Sequence, residues 1–373
     1  MTLDPALHAA LDRVFVTRDF RLESGTVLPE LRIAYETYGR LAPDRSNVVL
    51  LTHGYTSNHH MVGTPGSTLA EGLWNSLVGP GLAIDTDRFF VVSSNMLGSS
   101  YGSTGPAHVN PATGRPRGPA FPDITLADIV AAQHAMLLDM GIARLVAVVG
   151  PSYGGFQAFQ WAVSHPDSVA GIVPVTSDFK ANAGAASGLA ALVAELERDA
   201  NWNGGDHYAT GGVQATMTRM RIATLERYGI HDMLAPAFPD PAARASEIAR
   251  MARTWAEAFD PNAMIALGRA SARFDLTAEL HRIRARVLFV LCRTDQVFPP
   301  SLAPGAMARL RAAGVAAEYV EIDSELGHAA AGLDGAKWAP QLAAFLAGLA
   351  GTERRSNPAQ PASGSPVSSS GKS

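Results

Sequence analysis

Residues 143–155 read ARLVAVVGPSYGG, and no other stretch restricts this chain as strongly. An apolar run stops at Gly150, a serine stands two places on, and the amphipathic segment GFQAFQWAVSHPD (155–167) follows. Gly150-Pro151-Ser152-Tyr153-Gly154 fits G-x-S-x-G, and a strand before with a helix after is the setting in which that pattern forms a nucleophile elbow. The turn is tight enough to strain the serine backbone and to exclude bulk two residues either side. It lifts the hydroxyl above the sheet edge and aims a helix N-terminus at charge developing beside it. A Gly/Ser turn that merely joins two elements is the competing reading; the flanking strand and helix favour the nucleophile.

The neighbouring segments predict the fold. NVVLLTHG (47–54), FFVVSSNM (89–96), VAGIVPVTS (169–177) and RVLFVLCRTD (286–295) are continuous apolar runs ending in polar residues. Such strands suit a parallel sheet covered on both faces, whereas LRIAYETYGR (31–40) alternates like an antiparallel strand. TLADIVAAQHAMLLDMG (125–141) is an amphipathic helix with Thr125 as cap, Asp128 three residues on and Gln133 as a polar interruption. Strand–helix alternation predicts an α/β fold with a mostly parallel, doubly wound sheet. From 178 to 273 helical patterns replace strands and predict a helical lid inserted into a core of 1–177 and 274–350. GTERRSNPAQPASGSPVSSSGKS (351–373) lacks large apolar residues and is expected to be a disordered tail.

A serine needs a base, and the base an orienter. In elbow-bearing sheets the chain order is Ser, acid, His. Among the 11 histidines, His165 ends the elbow helix, His207 and His231 lie in the expected lid and His281 sits in a helical pattern; these four read as packed or solvated. His328, in EIDSELGHAAAG after the last strand pattern, stands where the base belongs. Asp295, at the end of RVLFVLCRTD, is the acid favoured by chain order; Asp323 is its competitor but lies only five residues from His328. The backbone N–H groups of Tyr153 and of Tyr55, in LLTHGYTSNHH, are the expected oxyanion donors. His53, His59 and His60 also invite a metal reading, set aside because no acidic partner or H-E-x-x-H accompanies them in sequence. The glycine-rich NMLGSSYGSTGP (95–106) matches no nucleotide-binding pattern and is expected to form an active-site wall.

Composition narrows the remaining classes. A net charge of −4 without a basic block gives no reason to expect nucleic acid or an anionic membrane. One cysteine, Cys292, precludes an internal disulfide or a thiolate cage. MTLDPALHAALDRVF does not read as a signal peptide, and no apolar run reaches membrane-spanning length, so a soluble cytoplasmic protein is expected.

Beyond these motifs, LRIAYETYGRLAPDRSNVVLLTHGYTSN, GPGLAIDTDRFFVVSSNMLGSSYGSTGP, GPSYGGFQAFQWAVSHPDSV, FDPNAMIALGRASARFDL and DQVFPP resemble segments of the homoserine O-acetyltransferase-like family of the α/β-hydrolase superfamily. The resemblance runs from about residue 12 to 348. It implies a Ser152–Asp295–His328 triad, a helical lid, a homodimer formed through lids and an acyl-serine intermediate; no cofactor or metal is expected, with acyl-CoA as co-substrate if the enzyme transfers. It also exposes departures. The transferases follow the histidine with an aspartate that binds an ammonium group, whereas His328 is followed by Ala329-Ala330-Ala331. A tyrosine–arginine arrangement holds the substrate carboxylate in those enzymes; here MTRMRIATLERYG offers Arg219, Arg221 and Arg227 without a clean register. The tryptophan pair after the oxyanion loop is reduced to Trp74. With Arg219, Arg221 and Ala329 as candidate substrate contacts, the missing charge partner favours hydrolysis of short-chain carboxylic esters. Acyl-CoA-dependent O-acyl transfer is the alternative, and a catalytically dead interaction module the remote one.

Overall fold

The computed structural model describes residues 13–62, 74–111 and 113–353. The main sheet has eight strands: β1 (Arg13–Arg21), β2 (Val27–Tyr38), β3 (Val48–Thr52), β4 (Phe90–Ser94), β5 (Leu145–Pro151), β6 (Val169–Val175), β7 (Arg286–Cys292) and β8 (Ala317–Ile322). Their order is β1-β2-β4-β3-β5-β6-β7-β8. β2 runs antiparallel to β1 and β4, and the other pairs are parallel. The β3 side chains show why these runs are continuously apolar. Val48 and Leu50 enter one core, Val49 and Leu51 the other, and all four are fully buried.

Helices α1 (Leu126–Asp139) and α2 (Tyr153–Ser164) belong to the first core. The capping box read at Thr125 and Asp128 is present. Gln133, the apparent flaw in the α1 stripe, is buried and satisfied: it donates to Gln157 at 2.7 Å and accepts from the Trp161 indole at 2.8 Å. Helix α8 (Ala303–Ala312) joins the first core, and α9 (Ala330–Leu333) and α10 (Ala339–Glu353) lie with the second. Because α10 extends to Glu353, its end overlaps the segment expected to be a tail; 354–373 lie outside the described residues.

Between β6 and β7 stand α3 (Ala185–Glu197), α4 (Gln214–Arg227), α5 (Ile230–Leu234), α6 (Pro241–Ala258) and α7 (Pro261–Ala272). Leu192, Leu196, Trp202, Met217, Trp255 and Phe259 give this insertion a core of its own. The chain leaves and rejoins the sheet through a narrow neck, where Lys180 bridges Asp275 and the Phe179 carbonyl accepts from Leu276 N–H at 3.0 Å.

Candidate active site

Strand order places the site. β3 has β4 on one side and β5 on the other, so connections leaving β3 and β5 diverge and open a crevice at their C-terminal ends. Tyr55 follows β3, and Ser152 follows β5. The elbow is as strained as its sequence implies: Ser152 has φ 55° and ψ −119° at the start of α2. A Cβ on Gly150 would stand 2.2 Å from Thr52 Oγ1, and one on Gly154 2.1 Å from the Thr52 carbonyl. The glycines are therefore required by the close approach of β3. Two hydroxyls clamp the turn: Thr52 donates to the Gly154 carbonyl at 2.9 Å, and Ser177 to the Ser152 carbonyl at 2.7 Å.

Asp295, whose side chain is fully buried, accepts from His328 Nδ1 at 2.9 Å through Oδ2. Its Oδ1 accepts from the N–H groups of Val297 and Phe298 at 2.8 and 3.3 Å. An ionised carboxylate only accepts, so Nδ1 carries the proton and Nε2 keeps its lone pair for the reaction. Asp323 is exposed and bound to Arg293 at 2.8 Å, which removes it as the orienter. Thr294 stitches the two loops together, donating to the Ser324 carbonyl at 2.8 Å and accepting from Gly327 N–H at 3.1 Å. Sequence reasoning missed this residue, since a threonine beside a catalytic-type aspartate carries no motif.

Ser152, Tyr55, Tyr153 and His328 line one cavity of about 510 Å³, walled by residues of α3, α4, α6 and α7. Ser152 Oγ makes no hydrogen bond to the imidazole among the described residues; such contacts commonly tighten when substrate enters. Tyr153 is the first residue of α2, so its N–H has no intrahelical partner. The Tyr55 and Tyr153 rings stack with centroids 5.9 Å apart. Their hydroxyls donate to Met264 and Leu267 carbonyls of α7, tying the two expected oxyanion donors to the insertion. Burial raises both phenol pKa values.

His53, also buried, lies outside the cavity lining and bonds the Gly54 carbonyl and Asn95 Oδ1, each at 2.9 Å. Desolvation lowers its pKa to about 4. The glycine-rich segment expected as a wall is instead a brace. Asn95 donates to the Ser100 and Tyr101 carbonyls, Ser100 Oγ accepts from Asp260 N–H, and no residue of 95–106 lines the cavity.

The acidic partner absent from the sequence around His59 and His60 comes from β2. Glu36 brings a carboxylate within 4.8 Å of a ring nitrogen of each. Its oxygens already accept from His60 Nδ1 at 2.5 Å and from the Tyr38 hydroxyl. Proximity in the fold, invisible in sequence spacing, created that cluster.

The substrate candidates separate. Arg221 lines the cavity, donates to Thr56 Oγ1 at 3.2 Å and lies 4.9 Å over the Trp255 ring. Arg219 donates to Thr216 and lies 3.7 Å from Glu195, outside the lining, and Ala329 is not in the lining either. Tyr228, not singled out in sequence, does line the cavity, its ring 5.6 Å from that of His328. Arg221 and Tyr228 are seven residues apart, two helical turns; that spacing was the available signal.

Comparison with known proteins accords with this geometry. The sequence pattern of the α/β-hydrolase fold family matches residues 47–331. A homoserine O-acetyltransferase of Rhodospirillum rubrum is 34% identical over 94% of this chain and 96% of its own length. The solved structure of esterase E22 is 28% identical with a TM-score of 0.81, covering 90% of this chain and 99% of that one. That of a homoserine O-acetyltransferase from Bacillus anthracis is 28% identical with a TM-score of 0.77, covering 90% and 97%.

Proposed function

For a chain that belongs to the homoserine O-acetyltransferase-like family of the α/β-hydrolase superfamily, we propose O-acyl transfer from a thioester such as acetyl-CoA to an alcohol through acyl-Ser152. The sequence reading put ester hydrolysis first. Identity of about a third to homoserine O-acetyltransferases over nearly the whole chain weighs the other way. The observation that carries acyl-serine chemistry is His328, oriented by the buried Asp295, lining an insertion-walled cavity together with a strained serine.

Ser152 Oγ attacks the thioester carbonyl as Nε2 of His328 takes its proton. The N–H groups of Tyr55 and Tyr153 hold the oxyanion. Collapse breaks the C–S bond, and the thiolate leaves with the proton from His328. The alcohol then gives its proton to Nε2 and attacks the acyl-serine; Ser152 Oγ departs and is reprotonated. Asp295 stabilises the imidazolium in both halves.

Hydrolysis is the second reading, supported by the similarity to esterase E22 and by the alanine that follows His328. One assay separates them: acetyl-CoA and p-nitrophenyl acetate are each offered with and without alcohols. Thioester turnover that requires the alcohol supports transfer; ester turnover indifferent to it supports hydrolysis.

A further inference from the structure

We propose that Glu36, His59 and His60 form a binding site for one divalent transition-metal ion of the zinc class, separate from the catalytic cavity. The acid whose absence from the sequence argued against a metal stands on β2. One ligand atom from each of the three side chains lies within 4.8 Å of the other two. Bonds of about 2.1 Å to a tetrahedral ion hold such atoms about 3.4 Å apart, a contraction that side-chain torsions supply. None of the three residues lines the cavity.

The donor set selects the ion. Two imidazole nitrogens and one carboxylate oxygen suit Zn²⁺, with a water in the fourth position, whereas Ca²⁺ and Mg²⁺ take oxygen ligands. His60 Nδ1 donates to Glu36 Oε1 at 2.5 Å, so a proton stands between ring and carboxylate. When zinc binds, that proton moves to Nε2 of the same ring, and the ion takes its place between Nδ1 and Oε1. The His60 side chain is 27% exposed, which gives an ion a way in, while Glu36 and His59 are buried. That partial burial strengthens the attraction between cation and carboxylate.

The surroundings hold the ligands in advance. The Tyr38 hydroxyl donates to Glu36 Oε2, the kind of outer contact that orients a ligating carboxylate. Asn58 Oδ1 accepts from the His60 N–H at 2.9 Å, and Ser93 Oγ donates to the His59 carbonyl at 2.6 Å. The two imidazole rings lie with centroids 4.2 Å apart. Tyr55 stands on the same segment after β3, so an ion held here ties β2 to the segment that carries an expected oxyanion donor. Its role is therefore structural.

Isothermal titration of untagged, chelator-treated full-length protein with ZnCl2 tests the site. Saturation at one ion per chain is expected, with a melting temperature raised by ZnCl2 and not by CaCl2. Glu36→Gln, His59→Asn and His60→Gln should each weaken zinc binding at least about tenfold. His281→Gln, at an exposed position, should leave it unchanged. If the three site variants do not fold, wild-type protein treated with copper(II) and ascorbate supplies the result: oxidation of His59 or His60 that ZnCl2 suppresses supports the site. Folded wild-type protein that takes up no zinc, an affinity unchanged in all three variants, equal stabilisation by calcium, or oxidation confined to other histidines would overturn the assignment.

Discussion

Oδ2 of Asp295 and Nδ1 of His328 lie 2.9 Å apart, although 33 residues separate them in the chain. Asp323, only five residues from the histidine, is spent on Arg293 at the surface. Replacing Asp295 by Asn should therefore lower kcat by about 10³–10⁴-fold, because an amide no longer favours the Nδ1–H tautomer. Asp323→Asn should stay within about twofold, as expected of an exposed ion pair. Steady-state kinetics on p-nitrophenyl acetate reads both.

Thr294 holds the two loops that carry this pair. Thr294→Val leaves the Ser324 carbonyl and Gly327 N–H without their hydroxyl partner. A loss of about 1–3 kcal/mol is expected in denaturant unfolding. A fall in kcat larger than that in Ser152 labelling would show that the histidine loop has shifted.

Gly150→Ala and Gly154→Ala each drive a methyl group into Thr52. Overpacking of this kind costs about 1–3 kcal/mol or more. Both variants should melt lower and lose Ser152 labelling, whereas Gly25→Ala, whose added methyl meets nothing within 4 Å, should keep the labelling.

Asp178 gives a pH signature at the neck of the insertion. Burial raises its pKa to about 6 from 3.8. Between those values the folded state binds more protons than the unfolded chain, so this group's contribution to stability falls as pH rises from about 4 to 6. His53, depressed to about 4 by burial, has the opposite slope below its ordinary 6.5, so variant and wild type must be compared at each pH. Asp178→Asn should gain up to about 3 kcal/mol relative to wild type at pH 7 and little at pH 4.

The parts legible in the sequence were those where local geometry and residue type coincide. Glycines at 150 and 154 reported the approach of Thr52, and continuous apolar runs reported strands covered on both faces. β1 was not legible: along RVFVTRDFR Phe15 alone is fully buried, because an edge strand needs few apolar residues and carries charge that discourages further pairing. Contacts between distant segments were also hidden. Glu36 reaches His60, and the 95–106 loop braces where a wall was expected. Each depends on tertiary placement that no spacing encodes.

The acyl-serine claim is tested most directly by mass spectrometry of the Ser152 peptide after rapid acid quench of enzyme turning over acetyl-CoA or p-nitrophenyl acetate. An acetyl ester on Ser152 is expected, absent from Ser152→Ala and shortened in lifetime by any alcohol that accepts the group. Full turnover by folded enzyme with the acetyl group on another residue, or undiminished turnover by Ser152→Ala, would contradict it.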